Sequence, residues 1–291
     1  MSIIKTTIKN NKPDISDSSI KTYSSILKNL YLKIFNDSDI DISKFDETDK
    51  ILDYLKTMTP NRRKTVLSSL VVITDNKAYR DLMLKDINQY NEDISHQDKT
   101  EAQKASWVEK EEVENILNEL RDNAELLYKK KVLKIQDIQQ IQNYIIMCLL
   151  SGYYIAPRRS KDYVDFKIKN ISETDNYLTK LSMIFNSYKT SKTYGQQIIP
   201  INIQLKNILL KWIKVNPTEY LLFDSKFNKL SSVKLNQRIN ALFGKKVSVN
   251  QLRHTFLTSK YASTIKQNQE INDTMKEMGS SAQQLNLYVK K

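Results

Sequence analysis

The chain has 291 residues, room for two domains of ordinary size, and 46 Lys and Arg stand against 33 Asp and Glu, a formal charge of +13. Such a surface attracts polyanions, nucleic acid before anionic membrane, and its grip weakens with salt. No apolar run approaches the roughly 20 residues of a spanning helix, the first residues lack a signal-peptide core, the single cysteine has no internal disulfide partner, and His96 and His254, the two histidines, lack the clustered partners of a zinc site.

Four glycines and five prolines are few for this length and predict a mainly helical protein with short turns. Residues 1–17 are polar, contain Pro13, and read as an N-terminal arm. Ser18 or Ser19 then caps a helix with Ile20, Tyr23, Leu27, Leu30, Tyr31 and Ile34 on one face. Residues 36–43 form a loop, and Ile51, Leu52, Leu55 and Met58 mark a second helix. Thr59-Pro60 starts a third, with proline at its first position. Arg62, Arg63 and Lys64 lie early in it, and Val66, Leu67, Leu70 and Val71 face its core. Tyr79, Leu82, Met83, Ile87 and Tyr90 define a fourth. Four short helices over 18–93 make a small bundle. Cations near a helix N-terminus gain nothing from the dipole, so Arg62, Arg63 and Lys64 are candidate phosphate contacts as much as a solvated helix start.

Residues 94–105 are polar and read as a linker, leaving 106–291 as a second domain. Ser106 and Glu109 suggest a capping box for a helix burying Val113, Ile116, Leu117 and Leu120. A long apolar helix over about 135–151 belongs in the core and carries Cys148 as a small buried hydrophobe. It ends in SGYYIAPRRSKDY, where Gly152 and Pro157 break helices and Arg158, Arg159 and Asp162 follow. Residues 181–201, LSMIFNSYKTSKTYGQQIIPI, place two apolar segments around a polar turn with Gly195, a hairpin that carries Lys189 and Lys192. Leu205, Ile208, Leu209 and Trp212 form an amphipathic helix, residues 220–223 a short strand, and Leu235, Ile239 and Phe243 another helix, followed by the turn Gly244-Lys245-Lys246.

The last block reads SVNQLRHTFLTSKYASTIKQNQEINDTMKEMGSSAQQLNLY. Ser248 and Gln251 form a capping box, and Asn250 and Arg253 share a face near that helix start. A second helix with Ile271, Met275 and Met278 buried is expected next. Gly279 stands at a C-terminal position suited to positive φ, and Ser281 caps a last short helix carrying Tyr288. The ordered text NQLRHTF, MGSS and LNLY resembles the catalytic block of the tyrosine recombinases, the phage-integrase-like family, whose usual form is H-x-L-R-H-T-F/A, then L-G-H-S-S, then a nucleophilic tyrosine.

That resemblance implies a helical core-binding domain at 18–93 that clamps DNA and an α+β catalytic domain at 106–291 with a small hairpin or sheet. It implies a DNA-cleaving and rejoining enzyme, intracellular and DNA-bound, of the kind found in mobile and viral elements. Tyr288 would attack a phosphodiester, forming a 3′-phosphotyrosyl bond and releasing a 5′-hydroxyl, with no metal or other cofactor. The partner would be double-stranded DNA, held by a tetramer on paired sites. Against the family's T-G-L-R-x-S-E-L, Arg159 aligns with the catalytic arginine when Asp162 takes the acid's place, whereas Arg158 aligns when Ser160 takes the serine's. The acid and apolar matches favour Arg159, leaving Arg158 to phosphate or solvent. The hairpin lysine that protonates the leaving group is Lys192 by counting back from Pro200, or Lys189 by its place at the end of a strand. Lys245 and Lys246 would touch the DNA backbone.

Two family positions differ. Asn250 replaces the first histidine, and Ser280 and Ser281 follow Gly279 where the family has histidine or tryptophan. Asn donates a hydrogen bond but shuttles no proton near neutral pH, and Ser280 offers a hydroxyl in its stead. His254, next to Arg253, points about 100° away at helical spacing. Two alternatives remain: relaxation of DNA by a type IB topoisomerase, which shares this chemistry, and a DNA-binding protein that has lost catalysis.

Overall fold

The computed structural model describes residues 2–95, 99–285 and 289. The chain divides into two compact units, Met1–Lys99 and Thr100–Lys291, a division that falls inside the polar stretch 94–105. The fold is mainly α, with one small sheet in the second unit. No helix among the described residues is long and apolar enough to cross a membrane.

The first unit is a bundle of α1 (Ile3–Asn11), α2 (Asp17–Phe35), α3 (Thr48–Leu55), α4 (Pro60–Thr74) and α5 (Lys77–Ser95), with a 3-10 turn at Ile42–Asp46. Within residues 2–17, α1 packs onto the bundle. Ile4 and Ile8, one turn apart, are buried in the same core as Leu27, Tyr31, Phe45, Leu67 and Tyr79. The Asn11 amide donates to the carbonyls of Val72 and Ile73, both at 3.1 Å, closing the end of α4, whose last carbonyls lack helical partners. The cap of α2 is Ser16, which accepts from the Ser19 N–H. Pro60 opens α4 as expected, after Thr59.

Of the three early cations on α4, Arg63 is committed internally. Its Nε and a terminal nitrogen grip the carboxylate of Asp86 at 2.8 and 2.6 Å, with the two side chains 17% and 3% exposed. The partner of Arg63 lies on α5, which local sequence does not announce. Lys64 lies over the Tyr90 ring, and burial pulls its ammonium below the ordinary lysine value. Arg62 is exposed.

The second unit begins with α6 (Glu101–Ser106), capped by a Thr100–Gln103 box. That box displaces the expected Ser106–Glu109 start: Ser106 closes α6, and α7 runs Lys110–Leu127. The core helix α8 (Ile135–Leu150) buries nearly its whole second half, Cys148 included, and burial pushes that thiol up to about 12. After α9 (Ser160–Val164) come β1 (Phe166–Lys167), β2 (Asn176–Leu178), β3 (Ser182–Phe185), α10 (Ser191–Tyr194) and β4 (Gln197–Pro200). The strands lie in the order β1-β2-β3-β4, parallel for the first pair and antiparallel after it. The hairpin β3–β4 occupies the expected stretch with Phe185 opposite Gln197, but its turn is longer because α10 sits inside it.

Helix α11 (Ile203–Val215) buries Leu205, Leu209 and Trp212, and α12 (Ser232–Phe243) buries Leu235, Ile239 and Phe243. The expected strand at 220–223 is reduced to isolated bridges, Lys167 with Tyr220 and Phe223 with Lys229. Its backbone is instead held by the buried Gln142 amide, which donates to the Phe223 carbonyl at 2.9 Å and accepts from its N–H at 2.8 Å. Finally α13 runs unbroken from Val249 to Glu277, followed by a 3-10 turn at Ala282–Gln284.

Removing one partner of a buried, doubly bonded ion pair strands the other charge. Arg63→Ala should therefore lose about 3–5 kcal/mol of stability in denaturant unfolding, and Arg63→Ala with Asp86→Leu should lose markedly less. Equal losses for the single and double variants would show that the pair is not what holds α4 to α5.

Candidate active site

The site is built where α8 ends and α9 and α13 begin. Gly152 turns the chain with φ +79°, and a Cβ there would meet Phe256 of α13 at 2.2 Å. Only glycine suits both the backbone and that close approach. The segment then runs through Pro157 to Arg158 and Arg159, the latter extended at the N-terminal cap of α9. Asp162, one turn into α9, is 1% exposed.

Arg158 lies across this buried acid. Its Nε donates to Asp162 Oδ2 at 2.9 Å and a terminal nitrogen to Gln197 Oε1 of β4 at 2.7 Å. Its guanidinium stands 4.0 Å from the Phe185 ring centroid and 5.1 Å from that of Tyr188. With these partners the 16% exposed Arg158 side chain serves as a structural strut. Arg159 is half-buried; its carbonyl accepts from the Asp162 N–H at 3.0 Å, and its side chain makes no hydrogen bond or ion pair among the described residues.

Arg253, in the first turns of α13, arrives at the same place. Its Nε donates to the Pro157 carbonyl at 3.3 Å, two residues before Arg159. A terminal nitrogen donates to Asn250 Oδ1 at 3.3 Å, so Asn250 and Arg253 share a face, and the exposed Asn250 is left with its amide N–H groups to offer. Burial pulls the Arg253 guanidinium below its usual range; Arg159 adds to this, Asp162 opposes it, and Arg158 adds a smaller share. Burial pushes the Asp162 carboxyl above its ordinary value, while Arg158, Arg159 and Arg253 pull it back. Arg253 is thus tied to the backbone two residues before Arg159, close to a buried carboxylate whose Oδ1 has no hydrogen-bond partner among the described residues.

The start of α13 is held by Ser248, which accepts from the Gln251 N–H at 3.1 Å. Lys189 and Lys192 are both exposed on the segment between β3 and β4. Lys245 donates to the Trp107 carbonyl and to Glu112, each at 3.0 Å. This ion pair ties Lys245 to α7, and Lys246 beside it is exposed. His254 is exposed.

The C-terminal block departs most from expectation. A break between two helices was expected within 248–278, but residues 257–270 contain neither glycine nor proline and the helix continues. Met275 is buried and Met278 is 58% exposed. From Arg253 to Glu277 the axis rises about 36 Å at 1.5 Å per residue. Ser280, past Gly279 at φ +70°, donates to Gln284 at 2.6 Å and stands away from the arginines. Ser281 opens the 3-10 turn without a side-chain cap. Tyr288 lies outside the described residues.

Gln197, Tyr188 and Asn176 are the contributors that sequence reading passed over. Gln197 was visible only as a polar residue at a strand start; its role comes from lying opposite Phe185 in the ladder.

No protein-family model matches the chain, and no curated protein matches it. Among solved structures it is similar to a crystal structure of XerA recombinase, over 88% of this chain and 82% of that one, at 15% identity and a TM-score of 0.36. It is also similar to a lambda integrase dimer bound to a COC′ core site, over 89% and 91%, at 13% identity and a TM-score of 0.44. A lambda integrase tetramer bound to a Holliday junction matches over 87% and 70%, at 13% identity and a TM-score of 0.43. These are likenesses of fold at low identity, and the functional reading rests on the chain's own residues.

Gly152→Ala should cost about 1–3 kcal/mol in thermal or denaturant unfolding through overpacking against Phe256, with backbone strain added. Pairing it with Phe256→Ala should give a loss smaller than the sum of the two. Strict additivity would show that the contact does not anchor α13.

Proposed function

We propose that this chain cleaves and rejoins double-stranded DNA through a 3′-phosphotyrosyl intermediate, as a site-specific recombinase. The observation that carries the reading is that Arg253 of α13 bonds the Pro157 carbonyl, two residues before Arg159 at the cap of α9 and close to the buried Asp162. A planar, permanently charged guanidinium suits two non-bridging phosphate oxygens. A pair of them, fixed before the reaction, stabilises the charge that grows on those oxygens. Asn250 would add a hydrogen bond to phosphate, and Lys189 or Lys192 would donate a proton to the departing 5′-oxygen. Tyr288 would supply the nucleophile and hold the phosphoryl group until a second 5′-hydroxyl attacks. Arg62, Lys64 and Lys246 would touch the DNA backbone, in keeping with the net charge of +13.

Helix α13 carries residues 278–285 away from the arginines of its own chain. In this reading the tyrosine of one copy serves the arginine pair of another, and the working unit is a tetramer on paired sites. Ser280 is then a group delivered with the tyrosine rather than a fixed part of the arginine cluster.

A second reading, DNA binding without cleavage, is favoured by Asn250 in place of a proton-shuttling histidine. One experiment separates them. On a nicked suicide DNA substrate, the wild type should form a covalent adduct that Tyr288→Phe does not, and Arg159→Ala or Arg253→Ala should slow its formation about 10²–10³-fold. Equal adduct from wild type and Tyr288→Phe would overturn the nucleophile. Bound DNA with no adduct from wild type would establish the second reading.

Mixing Tyr288→Phe with Arg253→Ala should restore adduct on the Arg253→Ala chain, because each lacks what the other provides. A mixture as inactive as its parts, beside an active wild type, would show that the tyrosine returns to its own cluster.

A further inference from the structure

Asn176 opens β2, is fully buried, and uses every hydrogen-bonding position of its side chain. Its amide nitrogen donates to the Asp162 carbonyl of α9 at 3.1 Å and to the Ser187 carbonyl at 2.8 Å. Its Oδ1 accepts from the N–H groups of Asn186 and Ser187 at 2.9 and 2.8 Å. The ladder between β3 and β4 ends at Phe185 and Gln197, so the backbone at 186–187 would otherwise lose its partners in a partly buried place. The Asp162 carbonyl belongs to the end of a short helix and is likewise without a helical partner. One side-chain amide therefore ties the residue that gathers the arginines to the point where the lysine-bearing segment leaves the sheet.

The segment it holds is laced along its length. The Asn186 amide nitrogen donates to the carbonyls of Glu173 and Asp175 at 2.9 and 2.8 Å, and its Oδ1 accepts from Gln196 at 2.7 Å. The Tyr188 hydroxyl donates to the Gly195 carbonyl at 2.7 Å. The path of residues 186–196, with Lys189 and Lys192 on it, thus depends on where Ser187 is pinned.

We propose that Asn176 is a positioning residue for leaving-group protonation: it fixes the lysine-bearing segment 186–196 in register with the Arg159–Arg253 pair. This rests on the recombinase reading above. In the step concerned, the Tyr288 hydroxyl gives up its proton to solvent as its oxygen–phosphorus bond forms, the phosphorus–O5′ bond breaks, and a lysine Nζ proton passes to O5′. A misplaced lysine leaves the attack and the phosphate contacts in place but slows the breaking of the phosphorus–O5′ bond, because the oxygen then departs without its proton.

The test compares two nicked DNA substrates, one with an ordinary scissile phosphodiester and one with sulfur replacing the bridging O5′. The sulfur departs as a thiolate and needs no proton. Asn176→Ala should cleave the ordinary substrate about 10–100-fold more slowly than wild type, within the range a general acid supplies, and the sulfur substrate at close to the wild-type rate. Asn176→Asp keeps the two acceptor contacts but loses both donations, and should show the same selective loss. The ratio of the two rates within one preparation does not depend on how much of a variant folds. Equal slowing on both substrates, or no slowing on either, would overturn the proposal for Asn176. Failure of the wild type to form an adduct with either substrate would instead overturn the recombinase reading.

Discussion

A single buried carboxylate, Asp162, lies at the heart of the candidate site. Asp162 is sealed from solvent, which disfavours its charge, yet three guanidinium groups from two separate stretches of chain act on it. Like charges brought together in a partly dehydrated place repel one another strongly; Arg253 holds its proton less tightly chiefly because it is buried, and Arg159 adds to this. The acid makes the gathering tolerable before any polyanion arrives. It does not neutralise the cluster, so a net positive site remains, suited to a phosphodiester.

The two adjacent arginines divide the work by what lies around them. Arg158 is clamped by Asp162 and Gln197 and covered by the Phe185 ring, which makes it the strut joining α9 to the hairpin. Arg159 at the helix cap has no such partners. The frame that keeps them apart is made of ordinary parts: a turn that admits only glycine at position 152, the ladder of β3 and β4, and the Asn176 amide filling the gap where that ladder stops.

Much of this was legible in the sequence. The apolar stripes of α2, α4, α11 and α12 are strictly helical in period, and their buried residues follow those stripes closely. Pro60, Gly152 and the hairpin segments announced themselves through backbone chemistry. The misses share a different cause. That Arg63 meets Asp86, or Lys245 meets Glu112, depends on which helices become neighbours, and no local pattern encodes it. The helix in residues 1–17 was hidden because two isoleucines in a polar stretch make a weak stripe. The fusion of α13 was hidden because buried contacts at Met275 suggested a separate element, while nothing in 257–270 favours a break.

The central claim is that Arg159 and Arg253 act on the charge of a scissile phosphate. It is tested most directly by removing that charge from the DNA, with a methylphosphonate at the scissile position. Wild type and both arginine-to-alanine variants should then cleave at similar rates, since no second anionic oxygen remains to be neutralised. If the variants stay as impaired on the neutral substrate as on ordinary DNA, the arginines do something other than stabilise phosphate, and the account of the site is wrong.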